Sequence, residues 1–285
     1  MIATGRISET RKILEAARSD GLSVGFVPTM GALHEGHRSL IRRAREENGF
    51  VVVSIFVNPT QFGAHEDLSA YPRTFADDLE GCAAEGADLV FHPDSGEMYP
   101  EPSQTAVFVS RLTEPMEGKF RPGHFDGVAL VCAKLFGIVG GCTAYFGEKD
   151  AQQLRVVAQM ARDLELGVEV VGCPTVRDPD GLALSSRNSY LGPEDRERSL
   201  ALSRALRRIA DLVDQGERDG SRLLDAGRAV LEDASLDAID YLEIVDPSTL
   251  EAVDRVDGGV LVCGAVRVGT TRLIDNVTIE PEANR

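Results

Sequence analysis

Short β-branched runs alternate with helically spaced apolar positions through the first two-thirds of the chain. Residues 24–27, 51–57, 88–91, 143–146 and 168–171 read as strands, several of them continuous enough in Val, Ile and Phe to be buried on both faces. Between them, residues 36–47 place Leu40, Ile41 and Ala44 on one helical face, and 74–85, 127–139 and 151–164 also read as helices. This alternation predicts an α/β fold, a parallel sheet with helices on both faces. Ligands of such sheets collect where the strands end and their following loops gather.

The pattern changes after Thr175. Residues 193–214 form a long amphipathic helix with Leu202, Leu206, Ile209 and Val213 at helical spacing, and 221–232 a second one. Strands follow near 238–245, 259–268 and 273–279, which together predict a smaller α+β domain. The boundary falls within 174–181, giving domains of 1–176 and 177–285. Residues 92–105 are the longest stretch without a pattern and are expected to be a mobile cover for a site.

Composition narrows the function classes. The 285 residues carry a formal charge of −16, with 43% hydrophobic residues, so a packed core is assured and a general nucleic-acid or anionic-membrane surface is excluded by repulsion. Five scattered cysteines, Cys82, Cys132, Cys142, Cys173 and Cys263, form no C-x-x-C pair, so neither a disulfide framework nor a zinc knuckle is expected. No apolar signal segment opens the chain and no run is long enough to span a bilayer, so a soluble cytoplasmic protein is expected. Only four lysines occur, Lys12, Lys119, Lys134 and Lys149, which draws notice to each.

Several strand-to-helix turns could carry chemistry. Pro28-Thr29-Met30-Gly31-Ala32-Leu33-His34-Glu35-Gly36-His37 sets two imidazoles three residues apart at a helix start. There the dipole disfavours imidazolium, so neutral N–H donors facing phosphate oxygens are one reading; incidental loop residues, or zinc ligands lacking a third partner nearby, are the others. Gly147-Glu148-Lys149-Asp150 is a second such turn, with Lys149 as a point charge or a solvated residue, and Asp150 as an N-cap paired with Gln153. Leu184-Ser185-Ser186-Arg187 gathers hydroxyls and a guanidinium, suited to phosphate but equally to a turn. Gln61 follows an Asn58-Pro59 turn, Asp77 pairs with Thr74 as a capping element or touches a metal, and His124 is either a ligand contact or a cap-region residue. No nucleophile-plus-base set and no glycine-rich phosphate loop is present, so the donors suit a reaction whose substrate brings its own nucleophile.

PTMGALHEGH, VNPTQF, YPRT, GHFDGV, YFGEKD-x-QQL and LSSRN, in this order, resemble the pantothenate synthetase (pantoate–β-alanine ligase) family of the nucleotidylyltransferase superfamily. The match is dense from about 24 to 187 and looser to the end, through DYLEIVD and GTTRLIDN. The resemblance implies a Rossmann-like, doubly wound sheet with a smaller C-terminal domain. It implies an AMP-forming ligase that condenses pantoate with β-alanine through a pantoyl-adenylate, with ATP and Mg²⁺, as a homodimer. By motif position, ATP would meet Met30, Gly31, Ala32, Leu33, His34, Glu35, Gly36, His37, Gly147, Glu148, Lys149 and Asp150. Val176, Leu184, Ser185, Ser186 and Arg187 would complete that set. His34, His37, Lys149 and Arg187 would serve catalysis, Gln61 and Gln153 would hold pantoate, and no dedicated protein metal ligand is implied.

One departure stands out: the family's Pro-Asp type turn before YFGEKD is replaced by Gly140-Gly141-Cys142-Thr143, which should loosen that turn. The competing functions are a cytidylyl- or adenylyltransferase of the same superfamily, which would not need the two glutamines, and a non-catalytic nucleotide sensor.

Overall fold

The computed structural model describes residues 1–64 and 66–281, and the chain forms two compact units. The first comprises 1–113, 121–148 and 152–174; the second comprises 114–120, 149–151 and 175–285.

In chain order the first unit carries β1 (Ile2–Thr4), α1 (Ile7–Ser19), β2 (Val24–Thr29), α2 (Glu35–Glu47), β3 (Phe50–Ile55), α3 (Phe75–Ala84), β4 (Leu89–Phe91) and the single turn α4 (Ser95–Met98). After the excursion bearing α5 (Glu117–Phe120), which counts with the second unit, come α6 (His124–Val139), β5 (Cys142–Gly147), α7 (Ala151–Asp163) and β6 (Val168–Cys173). The six strands form one parallel sheet in the order β1-β4-β3-β2-β5-β6. The core is split by strand alternation. Phe26 of β2 packs with Leu14, Phe136 and Phe146 on one face, and its neighbour Val27 packs with Leu40, Ile41 and Tyr145 on the other. That is the doubly wound arrangement the sequence predicts.

Three differences from expectation have local causes. β1 and α1 were not anticipated: β1 is only three residues, and α1 buries the narrow set Thr10, Leu14 and Ala17 rather than a stripe of large aliphatics. The patternless stretch 92–105 contains α4, capped by Asp94, whose carboxylate accepts the Glu97 N–H at 2.7 Å. The Gly140–Gly141 turn is clamped rather than loose. Arg18 donates from Nη2 to the carbonyls of Val139 at 2.6 Å and Gly141 at 2.9 Å, satisfying acceptors that the end of α6 leaves open.

The second unit contains α8 (Pro193–Asp214), α9 (Gly220–Glu232) and an antiparallel sheet of β7 (Ala238–Val245), β8 (Val260–Val268) and β9 (Thr271–Ile279), in that order. Leu202, Leu206, Ile209 and Val213 of α8 are all buried in its core, while Arg204, Arg207 and Arg208 face solvent. A charged network lies inside this unit. Arg272 donates to both oxygens of Glu117, each at 2.7 Å, and to Asp240 at 2.6 Å, and the Tyr241 hydroxyl donates to Glu117 at 2.9 Å. Burial pushes the Tyr241 phenol far above its ordinary value, so it stays a donor.

Candidate functional site

The strand order reverses between β2 and β5, which pair in parallel at Phe26 and Ala144. Both strands run three residues further, ending at Thr29 and Gly147. The histidine turn and the Gly147-Glu148 turn therefore leave the sheet side by side at its topological switch point, the usual ligand position in such folds.

The histidine turn is held by a buried carboxylate. Asp78, 2% exposed on α3, accepts the backbone N–H groups of Ala32 at 3.0 Å and Leu33 at 2.7 Å, and the Thr74 hydroxyl at 3.2 Å. Those bonds support two successive left-handed residues, Gly31 at φ +82° and Ala32 at φ +50°. A Cβ on residue 31 would lie 2.9 Å from Asp78 Oδ2, so glycine is required by both φ and space. Of the two adjacent acids, the structural role thus belongs to Asp78. Thr74 occupies the N-cap of α3 without a side-chain capping bond, so the expected Thr74–Asp77 capping pair does not form.

His34 is the N-cap of α2, and its backbone N–H donates to Nδ1 of His37 at 3.4 Å. With Nδ1 accepting, the neutral His37 ring carries its proton on Nε2. The two rings stack with centroids 4.0 Å apart and 35° between planes. At a helix N-terminus the dipole disfavours a positive imidazole, and the backbone N–H groups of the first turn lie beside the two rings. α2 itself is braced by Arg38, which donates to Glu85 at 2.8 Å, and by Arg42 against Glu35 and Glu85.

Next along the sheet, residues Pro59–Gln61 form a 3-10 turn after β3. Asn58, 1% exposed, donates to Gln61 Oε1 at 3.0 Å and to the Gly127 carbonyl at 3.1 Å, while its Oδ1 accepts from the Tyr99 hydroxyl at 2.8 Å. Burial raises the Tyr99 phenol above its ordinary value, against a lowering by the Thr60 hydrogen bond, which keeps it protonated and donating. Gln61 Nε2 donates to Met30 Sδ at 3.4 Å, so this amide and the histidine turn are in contact. His124, 9% exposed, opens α6 with Nδ1 2.9 Å from the Gln61 carbonyl.

Glu148, Lys149 and Asp150 form a 3-10 turn that runs directly into α7, so Asp150 lies within a continuous helical turn and not at a free N-cap. Gln153 lies half-buried on the first turn of α7, whereas its neighbour Gln152 is buried with Nε2 on the Leu112 carbonyl at 2.8 Å.

In the second unit, Lys149 Nζ is 3.8 Å from Asp150 Oδ1, and the Lys149 carbonyl accepts from Asn276 Nδ2 at 2.8 Å. Residues 176–184 turn back on themselves, with the Leu184 N–H on the Val176 carbonyl at 3.0 Å and the Asp178 N–H on that of Leu182 at 2.9 Å. Arg177 pins this turn by a two-pronged bridge to Asp275 at 2.6 and 2.9 Å. Ser185 Oγ then accepts the Arg187 N–H at 3.3 Å and starts the 3-10 turn Ser186–Tyr190. Val176, Leu184, Ser185, Ser186 and Arg187 therefore sit on one short braced segment. Asp78, Arg177, Asp275 and Asn276 are the supporting residues that sequence reasoning missed. The last two stand in the LIDN run, which was legible only as a loose resemblance. Among the described residues, no group of three or more His, Cys, Asp or Glu could hold a metal ion, and no helix is long and apolar enough to cross a membrane.

Comparison with known proteins identifies the family. The family model described as pantoate-beta-alanine ligase matches residues 3–278. The chain belongs to the pantoate–β-alanine ligase family. It is 50% identical over 280 residues to the pantothenate synthetase of Caldicellulosiruptor saccharolyticus, covering 98% of this chain and 100% of that one. It is 52% identical over 273 residues to that of Thermotoga neapolitana, covering 96% and 98%. The crystal structure of pantothenate synthetase from Thermus thermophilus superposes with a TM-score of 0.94 at 48% identity, over 99% of this chain and 100% of that one. A pantoate-beta-alanine ligase from Francisella tularensis, complexed with beta-gamma ATP and beta-alanine, gives 0.81 at 33% identity, over 100% and 99%. As a member of the pantoate–β-alanine ligase family, the chain is an AMP-forming ligase that joins pantoate to β-alanine. The nucleotidylyltransferase and sensor alternatives are set aside by a family match that spans both units.

Proposed function

We propose that the ligation runs through a pantoyl-adenylate and that the family motif positions carry it residue by residue. The pantoate carboxylate attacks the α-phosphorus of ATP, the bond to the β-phosphate oxygen breaks, and pyrophosphate leaves. The β-alanine amine then attacks the acyl carbon, the bond to AMP breaks, and the amine sheds a proton as pantothenate forms. The observation that carries this reading is the His34–His37 pair at the N-terminus of α2, on an Asp78-anchored loop at the switch point. Such a site offers fixed N–H donors where charge builds on phosphate.

In this scheme Met30, Gly31, Ala32, Leu33, His34, Glu35, Gly36, His37, Gly147, Glu148, Lys149 and Asp150 contact ATP. Val176, Leu184, Ser185, Ser186 and Arg187 do so as well. His37 Nε2–H, His34, Lys149 and Arg187 stabilise the leaving phosphates, and Gln61 and Gln153 hold pantoate. Residues 1–176 then supply the pantoate contacts and most of the ATP contacts. Mg²⁺ enters as part of the MgATP substrate. A hard ion that keeps its waters and rides on phosphates needs few protein ligands. The β-alanine and ATP analogue named with the Francisella relative support the same substrates here. The chain works in the cytoplasm as a homodimer, as the resemblance implies; sedimentation at micromolar concentration tests the second point.

The decisive assay is pyrophosphate exchange into ATP. Exchange with pantoate and no amine is expected, followed by AMP release once β-alanine is added. Absence of both overturns the scheme. His37→Ala and Lys149→Ala should each lower the exchange rate by about 10²–10³, the cost of one lost transition-state donor, with unfolding midpoints near wild type.

A further inference from the structure

The mechanism leaves His124 without a part, yet it is buried against the turn that carries Gln61. Its two ring nitrogens face chemically opposite partners. Nδ1 is 2.9 Å from the Gln61 carbonyl oxygen, which can only accept, so Nδ1 carries the hydrogen. Nε2 is 3.1 Å from Arg121 Nη1, which can only donate, so Nε2 presents its lone pair. Both neighbours therefore demand the same neutral tautomer. Arg121 is held in turn by Glu66, through Nε at 2.7 Å and Nη2 at 2.7 Å. Burial works to raise the Glu66 carboxyl, but the Arg121 hydrogen bonds and charge outweigh it and hold it below its ordinary value.

The same turn is gripped from its other side. Asn58 holds the Gln61 side-chain oxygen and Met30 Sδ accepts from its Nε2, while His124 faces its backbone carbonyl. We propose that His124 is a positioning residue for pantoate: as the Nδ1–H tautomer braced by Arg121 and Glu66, it locks the Gln61 peptide and so aims the Gln61 amide at the substrate. This rests on the assignment of Gln61 to pantoate made above. His124 reaches the backbone of Gln61 and acts only through it.

The test compares three replacements in the full-length protein by steady-state kinetics, with Gln61→Ala as the reference. His124→Asn keeps a side-chain N–H near the Nδ1 position; His124→Gln moves it toward Nε2; His124→Ala removes it. His124→Ala should raise the pantoate KM about tenfold, the size expected for one lost buried hydrogen bond, with the ATP KM within about twofold of wild type. His124→Asn should stay within about threefold of wild type, and His124→Gln should resemble alanine. A folded His124→Ala with an unchanged pantoate KM, equal rescue by Asn and Gln, or a parallel rise in the ATP KM overturns the positioning role. Should the alanine variant fail to fold, the Asn–Gln contrast makes the same decision. Failure of the underlying assignment is read separately: it is wrong if Gln61→Ala leaves the pantoate KM unchanged, whatever the His124 variants do.

Discussion

Gly127 is where the position of Gln61 is most exposed to a one-atom change. It lies in the first turns of α6, and a Cβ built on it would sit 2.6 Å from Gln61 Cα and closer still to the Thr60 carbonyl. Ordinary contact begins near 3.4 Å and the Thr60 carbonyl oxygen would lie at 2.2 Å, so the helix and the turn must part by about 1.2 Å. Both sides are backbone, so no side chain can swing away. Gly127→Ala gains about 1 kcal/mol of helix propensity and incurs overpacking of roughly 1–3 kcal/mol, leaving a net loss of about 1 kcal/mol. The functional cost should be larger. The same displacement stretches the bond from Asn58 Nδ2 to the Gly127 carbonyl, now 3.1 Å, and that from His124 to Gln61, now 2.9 Å. A shift of this size in a substrate-positioning group costs on the order of 10²-fold in rate. Gly137, on the same helix with nothing within 4 Å of its would-be Cβ, is the control. Its alanine variant should gain about 0.5–1 kcal/mol and keep full activity. Urea unfolding and AMP release at varied pantoate measure both variants. A Gly127→Ala protein more stable than wild type, with unaltered kcat/KM for pantoate, would refute the reasoning.

Asp78→Asn should raise the ATP KM by about tenfold or more, because a neutral amide cannot accept at both oxygens from Ala32 and Leu33; unchanged ATP binding by titration calorimetry counts against that anchor. Glu117→Ala should cost about 3 kcal/mol in urea, since it leaves the largely buried Arg272 with Asp240 as its remaining carboxylate in the Glu117–Asp240–Tyr241 network; Glu117→Gln should cost less. The Glu66–Arg121 bridge contributes above pH 4.5 and is lost as pH falls through the depressed folded-state pKa of Glu66. Glu66→Gln should therefore lower the unfolding free energy by about 0.5–1 kcal/mol at pH 7 and flatten the acid limb; an unchanged limb shows that the bridge is inert.

The central strands and α8 were legible because their apolar positions have a clean period: Val51 to Val53 are all fully buried, and Leu202, Leu206, Ile209 and Val213 all enter one core. The motif turns were equally visible, since each is contiguous in sequence. What escaped depends on residues far apart. Nothing local tells Asp78 from Asp77, or Gln152 from Gln153; the difference is which carboxylate meets Ala32 and Leu33, and which amide meets the Leu112 carbonyl. Arg18 clamps a turn 121 residues away, so a glycine pair that looks loose in sequence is held in the fold. α1 was missed because threonine and alanine supply part of its buried face.

The chain passes between its two units five times, the last time into the second for good. Synthesis runs from the N-terminus, so Glu117 emerges long before its partners: Tyr241 lies 124 residues further on and Arg272 155. Until the last strand is made, that carboxylate lacks its Arg272 partner and the segment 114–120 lacks its full set of contacts. The second unit thus closes only when its C-terminal sheet arrives, making its assembly slow relative to a unit built of local contacts. A ribosome that stops at residue 176 would release a polypeptide with two orphaned stretches, 114–120 and 149–151, and not a shorter working protein.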